Sequence, residues 1–296
     1  MTIKRFGLLA ALSWLFYRSR KNRPFVGCWV DTSARRFVRE LAEVRSDFET
    51  VGMTDLCMTV QRHPASGAMT AAAWDRNPWR EWRSAISAAR DAGVRRVGFM
   101  LWPQPTAEYI QTIPQAMDMA REIGFDYVDF DFEDPWYRRQ PRGYASRVQA
   151  ALALEEITRA NWHKEVTGST FPAKVESLDY ALEWLDTVAV QAYTQREYGL
   201  TGRWGIPGMQ EYSAEKVAAL NGPKLVLGAA SYRQNFDGTD LTPEDVMVRN
   251  LQACWDVGAH GVRYWSWKWI WGHNRSQTPY ARRALLRARD LGLIRS

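Results

Sequence analysis

Between Asp126 and Glu133 the chain reads Asp-Tyr-Val-Asp-Phe-Asp-Phe-Glu, and Asp129, Asp131 and Glu133 alternate there with Val128, Phe130 and Phe132. On a β-strand successive side chains point to opposite faces, so this period of two puts three carboxyls on one face and three apolar groups on the other. Like charges at that spacing repel, and a purely structural strand gains nothing from them. A site that needs trapped charge or a trapped proton does. The spacing suits general acid–base catalysis: neighbouring carboxylates raise one member's proton affinity until it can act as an acid near neutral pH. Glu133, the outermost, is the expected proton donor, with Asp131 beside it steering the proton and Asp129 behind. The three titrate as a coupled set.

Two other readings of the run compete. Carboxylate clusters bind Mg²⁺ or Ca²⁺, but His63, His163, His260 and His273 fall in loops or at element starts with no ligand spacing among them. No metal or cofactor is therefore expected. A solvated acidic edge strand is the blander alternative, and Val128, Phe130 and Phe132 on the opposite face fit it poorly. Nucleophilic chemistry has little support, since the sequence has no G-x-S-x-G elbow and no cysteine with a histidine partner.

The elements around the run alternate. β-type stretches are read at Phe25–Val30, Thr54–Val60, Arg95–Trp102, Tyr127–Glu133, Glu165–Phe171, Thr187–Tyr193, Lys224–Ala230 and Gly261–Trp267. Helical patterns are read at Arg35–Phe48, Trp79–Ala92, Thr106–Ile123, Tyr144–Trp162, Val175–Leu185, Ala214–Leu220, Pro243–Val257 and Pro279–Leu291. Gly93, Gly124 and Gly258 stand where left-handed helix caps favour glycine. Thr242-Pro243-Glu244-Asp245 is a helix start with a capping hydroxyl and acids in the first turn. Eight strand–helix units predict an α/β fold, a single-domain (β/α)8 TIM barrel over residues 24–296. An open doubly wound sheet is the alternative, but no glycine-rich phosphate loop follows the first strand. Barrel chemistry sits at the C-terminal strand ends, where Glu133, Tyr193 and Trp265 fall.

The chain has 296 residues, 46% of them hydrophobic, with a formal net charge of +6 and a pI near 9.3. A basic surplus favours anionic bulk partners, but no basic run interleaved with aromatics marks a nucleic-acid module, so nucleic acid is not expected. Fifteen Trp and twelve Tyr pack cores and also stack on sugars. The odd cysteine count (Cys28, Cys57 and Cys254) argues against a disulfide framework; a Cys28–Cys57 bridge is weighed, and small buried apolar groups are favoured. Residues 1–23 carry Lys4 and Arg5, an apolar stretch from Phe6 to Tyr17, and then a basic run. An uncleaved export or anchoring signal and an amphipathic helix with Leu8, Leu12, Leu15 and Phe16 on one face stay equally open. The first implies a secreted or envelope-associated protein, and a peripheral membrane contact fits either.

The Asp126–Glu133 run resembles the D-G-x-D-x-D-x-E signature of glycoside hydrolase family 18, the chitinases and endo-β-N-acetylglucosaminidases. Phe25-Val26-Gly27-Cys28-Trp29 is similar to that family's first strand, Gln191-Ala192-Tyr193 to its sixth, Lys224–Tyr232 to its seventh and Gly261–Trp265 to its eighth. The resemblance implies a retaining glycosidase cleaving β-1,4 linkages of N-acetylglucosamine polymers, chitin or peptidoglycan, in a monomer without cofactor. It implies that Glu133 protonates the leaving oxygen while the substrate's own 2-acetamido carbonyl attacks. An ionised Asp131 orients that acetamide, Tyr193 hydrogen-bonds it and Asp129 supports Asp131. Trp265, Gln191, Tyr232, Trp29 and Trp102 are the implied sugar contacts, and a lysozyme-like or endolysin role fits the basic charge. Four departures stand out: Tyr127 replaces the motif glycine and is expected to crowd the start of its strand, Thr194 follows Tyr193 where an acid or amide is usual, the third strand lacks S-x-G-G, and no α+β insertion fits between Tyr232 and Gly261. A carbohydrate-binding protein without turnover and a metal-dependent hydrolase remain alternatives.

Overall fold

The computed structural model describes residues 24–60, 79–138, 140–193, 208–231, 243–272 and 279–294. Eight parallel strands close in sequence order into a barrel: β1 (Phe25–Val30), β2 (Asp55–Thr59), β3 (Arg96–Leu101), β4 (Tyr127–Asp131), β5 (Glu165–Thr170), β6 (Thr187–Gln191), β7 (Lys224–Ala230) and β8 (Gly261–Trp265), with β8 pairing back onto β1. The (β/α)8 barrel expected from the alternation is thus the fold, in a single unit. Nearly every strand residue is buried, because one face lines the interior and the other lies under helices.

The helical layer follows from local signals. In α1 (Ala34–Val51), Phe37, Leu41, Val44, Phe48 and Val51 form the buried stripe; Ser33 caps its start and Gly52, at φ 76°, closes its end in the left-handed region. Gly93, Gly124 and Gly258 also adopt positive φ, as read from sequence. The remaining helices are α2 (Trp79–Asp91), α3 (Ala107–Ile110), α4 (Ile113–Ile123), α5 (Asp134–Tyr137), α6 (Arg147–Asn161), α7 (Asp179–Leu182), α8 (Gly208–Ala218), α9 (Pro243–Asp256), α10 (Trp267–Ile270) and α11 (Pro279–Asp290).

Several boundaries differ from expectation. The single helix expected over Thr106–Ile123 is two, since Thr106 caps α3 and Pro114, in the first turn of α4, lacks the N–H to continue the preceding turn. Val175–Leu185 is not one helix: 3₁₀ turns at Pro172–Lys174 and Glu176–Leu178 lead into the short α7. The helix expected at Ala214–Leu220 starts earlier, as α8. β4 ends at Asp131 rather than Glu133, and Gly261–Trp267 divides into β8 and α10. Thr242, proposed as a cap, and residues 1–23 lie outside the described residues. Among those described, no helix is long and apolar enough to cross a membrane.

Two apolar cores result. The larger fills the space between strands and helices, and a smaller one inside the barrel gathers Phe25, Trp29, Cys57, Met100, Trp102 and Tyr127 with Ala189 and Val226. Tyr127, whose replacement of a glycine was expected to crowd its strand, fits because its register partner on β3 is Gly98, where a Cβ would collide with the tyrosine ring. The three cysteines are buried and free, so Cys28 and Cys57 form no bridge.

Candidate active site

Strand alternation brings Tyr127, Asp129 and Asp131 inside the barrel, one above another toward the C-terminal mouth. Glu133 stands past the strand end, where it caps α5 by backbone geometry, φ −112° and ψ −154°, and its carbonyl accepts from Trp136 N at 2.9 Å. The expected strand therefore becomes a strand plus a cap, and that turn carries Glu133 to the mouth.

Asp129 is fully buried and surrounded by donors. The Trp29 indole N–H donates to Oδ2 at 3.2 Å, the Thr167 hydroxyl lies 2.5 Å from Oδ1, and the Cys57 thiol is 3.7 Å from Oδ2. Ser169 on β5 bridges upward, its Oγ 3.4 Å from Asp129 Oδ2 and 3.1 Å from Asp131 Oδ1. Gln191 Nε2, on β6, donates to Asp131 Oδ1 at 3.1 Å. Trp29, expected to contact sugar, is 1% exposed, with its indole N–H turned to Asp129. Tyr193 is 5% exposed and follows β6, while Trp102 lies 9% exposed just past β3 beside Asp131. Trp265 is half-buried at the end of β8, its ring 6.0 Å from that of Trp29, and the peptide bond it makes with Ser266 is cis. Trp29, Trp102, Gln191 and Trp265 thus meet at one end of the barrel with the carboxylates, whereas Tyr232 and Thr194 lie outside the described residues.

Asp131 and Glu133 both hold protons above the ordinary carboxylate range. Burial, then the nearby charges of Glu133 and Asp129, push Asp131 well up, and the hydrogen bonds from Ser169 and Trp102 only partly offset this. Burial, assisted by Asp134, raises Glu133 to about 6. Both groups thus bind a proton more readily than a free carboxylate does, Asp131 more strongly than its sequence neighbours alone would require. Desolvation is the cause, since Asp131 is only 3% exposed. Such a pair can store a proton near neutral pH and deliver it outward. Among the described residues no group of three His, Cys, Asp or Glu side chains has the geometry to hold a metal ion.

Beneath the column lies an ionic layer that the sequence reading missed. Arg263 on β8, 0% exposed, donates from Nε to Asp55 Oδ1 at 2.7 Å, and its Nη1 lies 3.7 Å from Asp129 Oδ1. Tyr127 donates to the same Asp55 oxygen at 2.9 Å, and Arg96 links Asp55, at 3.7 Å, to Glu165, at 2.7 Å. The signal was present: Arg263 and Trp265 are two residues apart on one strand, as are Asp55 and Cys57, so each pair faces the same way.

No protein-family profile matches the chain, and no curated protein matches it. Solved structures do match. The chain aligns with a glycoside hydrolase family 18 chitinase from Cycas revoluta bound to (GlcNAc)3 at 13% identity, covering 89% of this chain and 99% of that one with a TM-score of 0.54. It aligns with YKL-39, solved in the presence of chitooligosaccharides, at 9% identity over 92% of this chain and 100% of that one, TM-score 0.57. Against the multi-modular cell-surface chitinase ChiW of Paenibacillus the identity is 10% over 87% of this chain and the TM-score 0.53, and the chain spans 42% of that longer protein. The structural neighbours are chitinases and chitinase-like proteins, and at these identities the shared property is the fold.

Proposed function

We propose that this chain is a retaining glycoside hydrolase of the family 18 kind, cleaving β-1,4 linkages in polymers of N-acetylglucosamine by substrate-assisted catalysis. The observation that carries the reading is the column Asp129–Asp131–Glu133. Its lower members, Asp129 and Asp131, are buried, and its outermost acid, raised to about 6, stands at the mouth. Glu133 donates its proton to the leaving glycosidic oxygen. The substrate's acetamido oxygen attacks the anomeric carbon from the opposite face, forming an oxazolinium ion; Glu133, now ionised, takes the proton of the water that opens this ion with net retention. Before that donation Asp131 passes its proton to Glu133 and turns its carboxylate to the acetamide N–H, so that negative charge stands beneath the positive ring. Tyr193 hydrogen-bonds the same acetamide, and Trp265 and Trp102 supply apolar faces for the sugar. Tyr232 is assigned to the same groove from sequence. The basic net charge favours an anionic cell wall as the bulk substrate, and export through the N-terminal segment is part of the proposal.

The test is incubation with chitin oligomers and purified peptidoglycan followed by mass analysis of the new reducing ends. Cleavage with retained anomeric configuration, inhibited by a thiazoline mimic of the oxazolinium ion, is expected. Equal cleavage of a substrate lacking the 2-acetamido group overturns the assisted mechanism. Binding without any cleavage makes the protein a lectin-like member of the fold. Loss of turnover on chelation makes it a metal hydrolase.

A further inference from the structure

The barrel holds a guanidinium that the chemistry above does not use. Arg263 is anchored from below by Asp55, 2.7 Å from its Nε, and its guanidinium carbon lies 4.7 Å from the ring centre of Tyr127, 5.6 Å from Phe25 and 5.9 Å from Trp29. Its two outer nitrogens have no hydrogen-bond partner among the described residues, and one lies 3.7 Å from Asp129 Oδ1. Burial works against this charge, but Asp55, Tyr127 and Asp129 outweigh it and hold the guanidinium firmly protonated. At that separation and away from water, the Coulomb attraction on Asp129 is strong without a direct hydrogen bond.

Where the column's proton resides matters for chemistry. Asp129 is 0% exposed beneath Trp29 and Thr167, so a proton there is out of substrate's reach. On Asp131 it is next to Glu133. The Trp29 indole is a donor only, so Asp129 Oδ2 accepts, and Oδ1 faces the cation.

We propose that Arg263 is a positioning residue: by holding negative charge on Asp129, it keeps the column's mobile proton at the mouth, on Asp131 and Glu133. The claim rests on reading the column as acid–base machinery. The other titratable and charged groups facing it are Asp55 and Cys57 on β2, Arg96 on β3, Tyr127 on β4 and Glu165 on β5. Only Arg263 carries positive charge within 4 Å of Asp129 among the described residues.

The experiment compares wild type with Arg263→Lys and with the double variant Arg263→Gln/Asp55→Asn, which removes the cation together with the carboxylate that grips it. Carbon-13 carboxyl NMR of aspartate-labelled protein near neutral pH needs no substrate. Wild type should show a protonated carboxyl at Asp131 and a carboxylate at Asp129, and the double variant the reverse. With chitin oligomers, kcat of the double variant should fall roughly tenfold with KM held, and its alkaline limb should move down by about one pH unit. Arg263→Lys should restore both. A double variant that melts like wild type yet keeps the wild-type carboxyl pattern overturns the proposal. If the double variant does not fold, the wild-type spectrum decides, since a protonated Asp129 is fatal by itself. Failure of wild type to cleave any oligomer sinks the glycosidase reading alone, because the NMR arm still tests the position of the proton.

Discussion

At the residue scale, the proposed chemistry turns on Glu133. Glu133→Gln keeps the shape and hydrogen-bonding reach of the acid but cannot donate, so turnover of chitin oligomers should fall by about 10²–10⁴-fold with binding retained. Isothermal titration beside a rate assay checks this, and equal rates would falsify the assignment. The same substitution has a stability consequence. The folded protein raises Glu133 from 4.5 to about 6, so folding favours the protonated form. That contribution is full below pH 4.5 and disappears as pH rises through about 6, where ionisation of the buried group is penalised. Glu133→Gln escapes the penalty and should be more stable than wild type by about 2 kcal/mol above pH 6, the gap closing in acid. Urea unfolding at a series of pH values measures it, and a constant gap contradicts the sign.

At the scale of elements, β3 and β4 are matched by one exchange of volume. Tyr127 carries its ring into the interior because Gly98 beside it has no side chain, and the phenol then reaches Asp55 at 2.9 Å. Gly98→Ala forces a methyl group onto that ring and should destabilise by about 1–3 kcal/mol, as overpacking does. Chemical denaturation reads the loss, and no change means that the ring can move aside. The pairing also explains why Tyr127 was misjudged as crowding: one strand's sequence does not reveal which neighbour it packs against.

At the scale of the whole molecule, the proposed function separates two effects: a +6 charge attracts anionic polymers from a distance, while the carboxylate column lies behind buried walls. Added salt screens the first and barely touches the second. Rates on insoluble anionic cell wall should therefore fall as ionic strength rises, while rates on soluble neutral oligomers stay level. Parallel loss on both substrates contradicts this separation. The ionic layer of Asp55, Arg96, Glu165 and Arg263 also belongs to this scale, because four strands must close before its charges meet. Removing one partner of such a buried pair generally costs about 3–5 kcal/mol, which is why the test of Arg263 changes both partners.

The strand alternation, the glycine caps and the carboxylate column were legible in the sequence, because each depends on a period or a local backbone need that a short stretch of chain expresses alone. So was the placing of Glu133, Tyr193 and Trp265 at C-terminal strand ends, once the strands were counted. What only the tertiary structure decided is what stands behind the column. Trp29 donates to Asp129, Ser169 and Gln191 donate to Asp131, and Arg263 reaches Asp129. These partners come from strands far apart in sequence, and the strength of a buried charge depends on which neighbours barrel closure places within a few ångströms.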